Sequence, residues 1–168
     1  MFPALVRIMF LRGSPERILY QRRDFIVSLF VAIAASAVVQ FVYFIDTPLL
    51  AGLRVFAELT MFMLWMTLLT AKVGRLRLAQ AMLILIYISI FMDSVLITCG
   101  VWQRFLPFPD VNVVAVLLGL VMCYGGANVV AWALRKPLSA GALQMAGYAL
   151  AVVALDGTFR YLFGIMAA

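Results

Sequence analysis

Residues 78–102 read LAQAMLILIYISIFMDSVLITCGVW, a run of 25 residues in which Asp93 is the only charged side chain. A run of 18 or more apolar residues is long enough to cross a hydrocarbon core about 30 Å thick as an α-helix. Its apolar side chains occur all round the helix rather than in the two-residue alternation of a barrel strand. The run therefore predicts a transmembrane helix that carries one carboxyl group.

Four other segments have the same character, so the sequence predicts an all-α, polytopic membrane protein with five transmembrane helices. The expected spans are residues 25–45, 50–71, 78–102, 111–134 and 137–163. The connections between the spans are too short to hold a soluble domain. The predicted organisation is a five-helix bundle over residues 25–168, preceded by a separate segment over residues 1–24.

The composition supports a lipid environment. Apolar residues make up 67% of the 168 residues and charged residues 12%, against roughly 45–50% and about 25% in soluble domains. Too little polar surface remains to cover a water-soluble body of this size. The chain also has no histidine, which removes the commonest general base and metal ligand. We therefore expect a protein that is not an enzyme and that has no metal site and no cofactor.

The basic residues flank the apolar runs, and their distribution predicts orientation rather than nucleic-acid binding. Lysine and arginine are retained on the cytoplasmic side of short loops. We expect a cytoplasmic N-terminus, an external C-terminus and a location in the bacterial cytoplasmic (inner) membrane. The opposite connections hold only Arg104, whereas ten basic residues lie on the expected cytoplasmic side: Arg7, Arg12, Arg17, Arg22, Arg23, Lys72, Arg75, Arg77, Arg135 and Lys136.

The first 24 residues are expected to form two interfacial amphipathic helices. Apolar residues recur with near-helical periodicity in residues 1–11, and Gly13-Ser14-Pro15 then breaks the pattern. Ser14 can cap a second short helix and Pro15 can begin it. The segment is interpreted as a membrane anchor, with partner docking as the alternative. Its candidate contacts to lipid head groups or a partner are Arg7, Arg12, Arg17, Arg22 and Arg23.

Five charged residues inside the spans form the candidate intramembrane polar cluster: Arg54, Glu58, Asp93, Asp156 and Arg160. A charged side chain at the centre of a membrane helix costs roughly 2.5–3.5 kcal/mol, so each needs a partner or a wet cavity. Counting inward at 1.5 Å per residue gives the three acids a common depth of about 10–14 Å. Asp93 is the predicted proton carrier, and Ser89, one turn away, is its expected hydrogen-bond donor. Asn128 is a secondary polar position.

Three interpretations of this cluster remain open. The pairs Arg54 with Glu58 and Asp156 with Arg160 are each at i,i+4 spacing and could be self-contained structural ion pairs. The cluster could instead form a proton or ion pathway, or a site for an anionic or zwitterionic ligand.

Small residues at four-residue spacing predict close helix packing in the last two spans. Cys123, Ala127 and Ala131 form such a stripe, and Gly147 and Ala151 form another. Small side chains let membrane helices approach each other closely.

The segment Leu11-Arg-Gly-Ser-Pro-Glu-Arg-Ile-Leu19, the five closely spaced spans and Trp132-Ala-Leu-Arg135 resemble small bacterial proteins of the Yip-like class. That class is named for eukaryotic five-span proteins that interact with Rab-type GTPases. The resemblance covers the topology of nearly the whole chain. It implies a non-catalytic membrane protein and supplies no functional residues.

The function predicted from the sequence is that of a non-catalytic accessory or scaffold protein, either a subunit of a larger membrane assembly or a small oligomer. Its expected partners are membrane lipids and other membrane subunits, not nucleic acid. The first alternative is a proton- or ion-coupled transporter or channel that uses Glu58, Asp93 and Asp156. A lipid-modifying enzyme is the weaker alternative, because no nucleophile and base occur at a recognisable spacing.

Overall fold

Five long α-helices contain most of the residues that the computed structural model describes, which are residues 15–18, 20–43, 48–70, 74–103 and 111–162. Each helix is long and apolar enough to cross a membrane. The prediction of an all-α chain with five helices of spanning length is confirmed for this part of the chain. The helices are α1 (Arg22–Tyr43), α2 (Pro48–Thr70), α3 (Arg75–Gln103), α4 (Val111–Leu134) and α5 (Leu138–Leu162).

Helix α3 lies at the centre of the bundle. It packs against α1 and α4, and it has a smaller contact with α2. Ile84 and Ile88 of α3 and Val129 of α4 are completely buried. Helix α5 pairs mainly with α4, and α2 packs against α1 and touches α5. This arrangement lets all five helices contribute to one interior.

The outward surfaces of the helices are apolar. Phe30 of α1, Phe56 of α2 and Leu143 of α5 are each about two-thirds or more exposed, at 69%, 68% and 72%. Large apolar side chains on several sides of a bundle cannot be covered by a single soluble partner and suit a hydrocarbon solvent. The fold thus has a lipid-compatible exterior around a packed interior.

Helices α4 and α5 are joined by a tight turn at Arg135. This residue has a left-handed backbone conformation, with φ of 53°. The Lys136 N–H donates to the Ala131 carbonyl at 3.0 Å, and the Arg135 N–H donates to the Trp132 carbonyl at 3.2 Å. These two bonds form a Schellman motif, which satisfies carbonyls left free at the helix end. Pro137 follows at once and favours the start of a new helix.

The turn directs α5 back along α4 at very short range. A Cβ atom added at Gly141 would lie 2.8 Å from the Ala131 Cβ and would also clash with the Ala127 carbonyl oxygen. Ala127 and Ala131 are buried in this crossing. The prediction of close packing is therefore right for Ala127 and Ala131 of the α4 stripe.

The same prediction is wrong for the stripe in α5. Gly147 and Ala151 are exposed, and a Cβ atom added at Gly147 would meet nothing within 4 Å. Sequence spacing identifies a small-residue face, but the rotation of the helix decides whether that face points inward. The α5 glycine that contacts α4 is Gly141.

The described part of the N-terminal segment packs on the bundle. Pro15–Arg17 forms a single turn of 3-10 helix, and Ile18 is buried in the main core. The Gln80 side-chain amide of α3 donates to the carbonyls of Pro15, at 3.3 Å, and Ile18. The Ile18 N–H also donates to the Pro15 carbonyl at 3.1 Å and closes this turn, and the described part of the expected second interfacial helix is one turn long. Residues 1–14, including Arg7 and Arg12, lie outside the described residues.

A polar contact also attaches this turn to α4. Glu16 accepts a hydrogen bond from Trp132 Nε1 at 3.2 Å and lies 3.9 Å from Arg77 Nη2. The Arg77 guanidinium in turn lies 4.5 Å from the centre of the Trp132 ring. The N-terminal turn, the start of α3 and the end of α4 thus meet at one end of the bundle, here called the basic end.

Candidate functional site

A cavity of about 420 Å³ lies within the bundle and is lined by residues from all five helices. Most of its wall is aliphatic, for example Ile33, Leu85 and Val152. Two carboxylates also line it, Glu58 from α2 and Asp93 from α3. The structure thus brings two of the three predicted acids together in a single space.

Asp93 is held by hydroxyl groups. Ser36 Oγ of α1 donates a hydrogen bond to Asp93 Oδ2 at 2.7 Å, and Ser89 of α3 is a second hydroxyl partner. Both serines line the cavity. Among the side chains that the structure describes, no lysine or arginine lies within ion-pair distance of Asp93. Its carboxylate is therefore hydrogen-bonded to hydroxyl groups and has no cationic partner among the described side chains.

Glu58 has a different environment because a guanidinium neutralises it. Arg54 Nε and Nη2 both lie 3.0 Å from Glu58 Oε1. The Gln40 side-chain amide approaches the same oxygen at 3.5 Å. Arg54 is only 6% exposed, and its guanidinium also lies 5.8 Å from the centre of the Phe159 ring. The carboxylate and the aromatic face offset the free-energy cost of burying this cation.

The charges at the cavity do not cancel within the described side chains. Glu58 and Arg54 form one neutral pair, and Asp93 adds one negative charge when it is ionised. A buried or intramembrane charge without a counter-ion is costly unless the group takes up a proton or binds a cation. The geometry therefore points to Asp93 as the position where a positive species would be stabilised.

Aromatic rings form one side of the site. Trp65 stacks on Tyr148 with 4.7 Å between ring centres, and Phe62 meets Tyr148 edge-on at 6.2 Å. Phe62 and Tyr148 line the cavity. Their packing fixes the position of the Tyr148 ring, which comes from α5.

Of the other predicted positions, several are away from the cavity or not described. Asn128 is half-buried in α4 and is not part of the wall. The backbones of Asp156 and Arg160 belong to α5, but their side chains lie outside the described residues. Arg22 and Arg23 are exposed in the first turn of α1, which begins three residues before the expected span. The Arg17 side chain is also outside the described part.

Sequence reasoning missed three residues that contribute to the site, Ser36, Gln40 and Tyr148. A signal was present for two of them. Ser28, Ser36 and Gln40 are separated by eight and four residues in a span without charges, so they share one face of α1. That face meets the α2 and α3 acids. Nothing in the local sequence of α5 distinguishes Tyr148, because the neighbours that hold it are distant along the chain.

The described residues contain no group of three or more histidine, cysteine or acidic side chains that could hold a metal ion. The cavity also contains one thiol, Cys123, from α4. The polar and aromatic groups that the described wall offers are therefore carboxylates, hydroxyls, this thiol and aromatic rings.

Comparison of the chain with family models, curated proteins and solved structures gave no match.

Proposed function

We propose that this chain is an integral membrane protein that moves protons or other cations, with the Asp93 carboxylate as the group that holds the positive charge. The observation that carries the proposal is the position of Asp93 in the cavity wall with hydroxyl partners and no basic partner among the described side chains. Ionisable groups in membrane helices commonly belong to ion or proton pathways.

The hydroxyl partners suit a change of charge at Asp93. A serine oxygen can both donate and accept a hydrogen bond. Ser36 donates to the ionised carboxylate, and it can accept from the protonated acid without a change of helix position. Asp93 can therefore gain or lose a proton, or exchange it for another cation, while its contact with α1 is kept.

The orientation of the chain in the membrane is part of the same proposal. The basic end would face the cytoplasm, so that the N-terminus lies inside and the C-terminus outside a bacterial cytoplasmic membrane. The excess of lysine and arginine at that end supports this assignment. A reporter enzyme fused to the C-terminus should be active only in the external compartment, and cytoplasmic activity would contradict the orientation.

A flux measurement tests the proposed function. Purified protein in liposomes should dissipate an imposed proton or cation gradient, and a pH-sensitive dye inside the liposomes reports the proton movement. Asp93→Asn should abolish the flux. Ser94→Ala is the matched control, because Ser94 is exposed on the neighbouring position of α3 and bonds only to its own helix, through the Ile90 carbonyl at 2.7 Å. Equal flux in the wild type and Asp93→Asn would rule out this role for Asp93.

An accessory or scaffold role is the second candidate, in a larger assembly or a small oligomer. The observation that favours it is the exposed face of α5 that carries Gly147 and Ala151. Small residues on an exposed membrane helix allow another helix to approach closely. The resemblance to Yip-like proteins fits the same role.

Purification in mild detergent tests this candidate. A complex or oligomer should form with the wild type and be lost with Gly147→Leu. Gly52→Leu is the control, since Gly52 is also exposed with nothing within 4 Å of an added Cβ but lies on α2. A monodisperse monomer without partners would count against the scaffold role.

A further inference from the structure

We propose that the cavity binds lipophilic organic monocations, that is, molecules with one positive charge on a largely apolar body. The inference rests on the proposed function, because it takes the Asp93 cavity as the working site. It adds the chemical class of the substrate.

The size of the cavity is the first argument. Its volume of about 420 Å³ lies within the range of roughly 300–1,000 Å³ that is typical of sites for drug-sized ligands. A bare proton pathway needs no space of this size. A small inorganic cation would need several oxygen ligands around it, whereas this wall is mainly aliphatic and aromatic.

The charge of the site determines the sign of the charge that a ligand should carry. Arg54 is buried and already neutralised by Glu58 at 3.0 Å, so it is poorly placed to attract an anion. Asp93 leaves one negative charge facing the same space. A monocation would neutralise this charge, whereas an anion would add a second like charge in a medium of low dielectric constant.

The aromatic wall suits a cation with an apolar body. Phe62 and Tyr148 line the cavity, and Trp65 holds the Tyr148 ring by stacking. Aromatic faces attract organic cations, and they gain further free energy by burying apolar surface. The cavity thus combines a carboxylate for the charge with aromatic and aliphatic groups for the remainder of the molecule.

Two exposed residues of the cavity wall, midway along their helices, indicate where such a ligand would enter. Gly119 of α4 and Val153 of α5 line the cavity and are themselves exposed, Val153 to 68%. Both lie well inside their helices rather than at the ends. An opening at that level faces the hydrocarbon, where lipophilic cations concentrate, rather than bulk water.

Equilibrium binding to protein in lipid nanodiscs tests the inference with two probes of nearly the same shape and opposite charge, tetraphenylphosphonium and tetraphenylborate. Saturable binding of tetraphenylphosphonium and none of tetraphenylborate is expected. Asp93→Asn should weaken tetraphenylphosphonium binding by about tenfold or more, as expected for loss of a charge partner in a desolvated site. Ser94→Ala should bind as the wild type does. Comparable binding of both probes, or unchanged affinity in Asp93→Asn, would overturn the inference.

A steric variant provides a second test that keeps the charge. An added side chain at Gly119 meets nothing within 4 Å, so Gly119→Leu should fold and should obstruct the cavity mouth. It is expected to reduce tetraphenylphosphonium binding, whereas Gly52→Leu, away from the cavity, should not. Equal affinity in Gly119→Leu and the wild type would contradict entry and binding at this opening.

The binding and flux measurements separate the two proposals. Selective, Asp93-dependent binding without flux would support the ligand class and overturn the transport role. Asp93-dependent proton flux without tetraphenylphosphonium binding would overturn the ligand class and support the transport role.

Discussion

The hydroxyl oxygen of Ser36 lies 2.7 Å from Oδ2 of Asp93 and joins α1 to α3 at the wall of the cavity. This hydrogen bond links residues that are 57 positions apart in the chain. It connects a helix without charged side chains in its central part to the helix that carries the Asp93 carboxylate. The stability of the bundle and the chemistry of the site therefore depend on the same contact.

Removal of the Ser36 hydroxyl should destabilise the α1–α3 contact. We expect Ser36→Ala to lower the free energy of unfolding by about 0.6–1 kcal/mol, because a net hydrogen bond inside a membrane bundle has this magnitude. In an Asp93→Ala background the same change should have a smaller effect, since the acceptor is already gone. Denaturant unfolding of the wild type, the two single variants and the double variant in mixed micelles measures this difference. Ser94→Ala is the control, and fully additive effects would refute the coupling.

Loss of the Arg54 guanidinium should be strongly destabilising. Arg54→Gln removes the guanidinium that pairs with the Glu58 carboxylate at 3.0 Å, and breaking a buried pair costs about 3 kcal/mol or more. The double variant Arg54→Gln with Glu58→Gln removes both charges and should recover much of the stability. Thermal denaturation in detergent provides the comparison, with Arg75→Gln, an exposed change at the start of α3, as the control. A double variant no more stable than Arg54→Gln would contradict the expectation.

The crossing of α4 and α5 should not tolerate a side chain at Gly141. An added Cβ would lie 2.8 Å from the Ala131 Cβ and nitrogen, so Gly141→Ala must push the helices apart. Overpacking of this kind typically costs about 1–3 kcal/mol. Gly147→Ala is the matched control on the same helix, because nothing lies within 4 Å of that position. Equal melting temperatures for the two variants would show that the crossing is looser than described.

The N-terminal turn should become accessible when Gln80 is replaced. Gln80→Leu removes the side-chain donor to the Pro15 and Ile18 carbonyls while it keeps much of the side-chain volume. Limited digestion with trypsin should then cleave faster at Arg17, Arg22 and Arg23. Gln21→Leu, an exposed change beside the same sites, is the control. Unchanged cleavage would mean that the burial of Ile18 and the contacts of Glu16 hold the turn in place without the Gln80 bonds.

Part of the candidate site could be inferred from sequence because charges in apolar spans are rare and costly. That principle identified Arg54, Glu58 and Asp93, and i,i+4 spacing paired the first two correctly in the structure. It gave no weight to Ser36 or Gln40, because neutral polar residues are inexpensive in a helix and are often only satisfied by their own backbone. The aromatic wall around Tyr148 was also missed, since it depends on the relative rotation of α2 and α5.

The sequence by itself determined that the described chain consists of helices of spanning length, because apolar runs of this length satisfy their backbone hydrogen bonds only as helices in lipid. It also determined where most charges interrupt those runs. Only the tertiary structure decided which helix faces meet. Hydropathy was nearly uniform around each helix, so it could not show that Ala131 meets Gly141, that Gly147 faces outward, or that Glu58 and Asp93 share one cavity. Those relationships follow from side-chain shape and pairwise contacts, which depend on residues far apart in the chain.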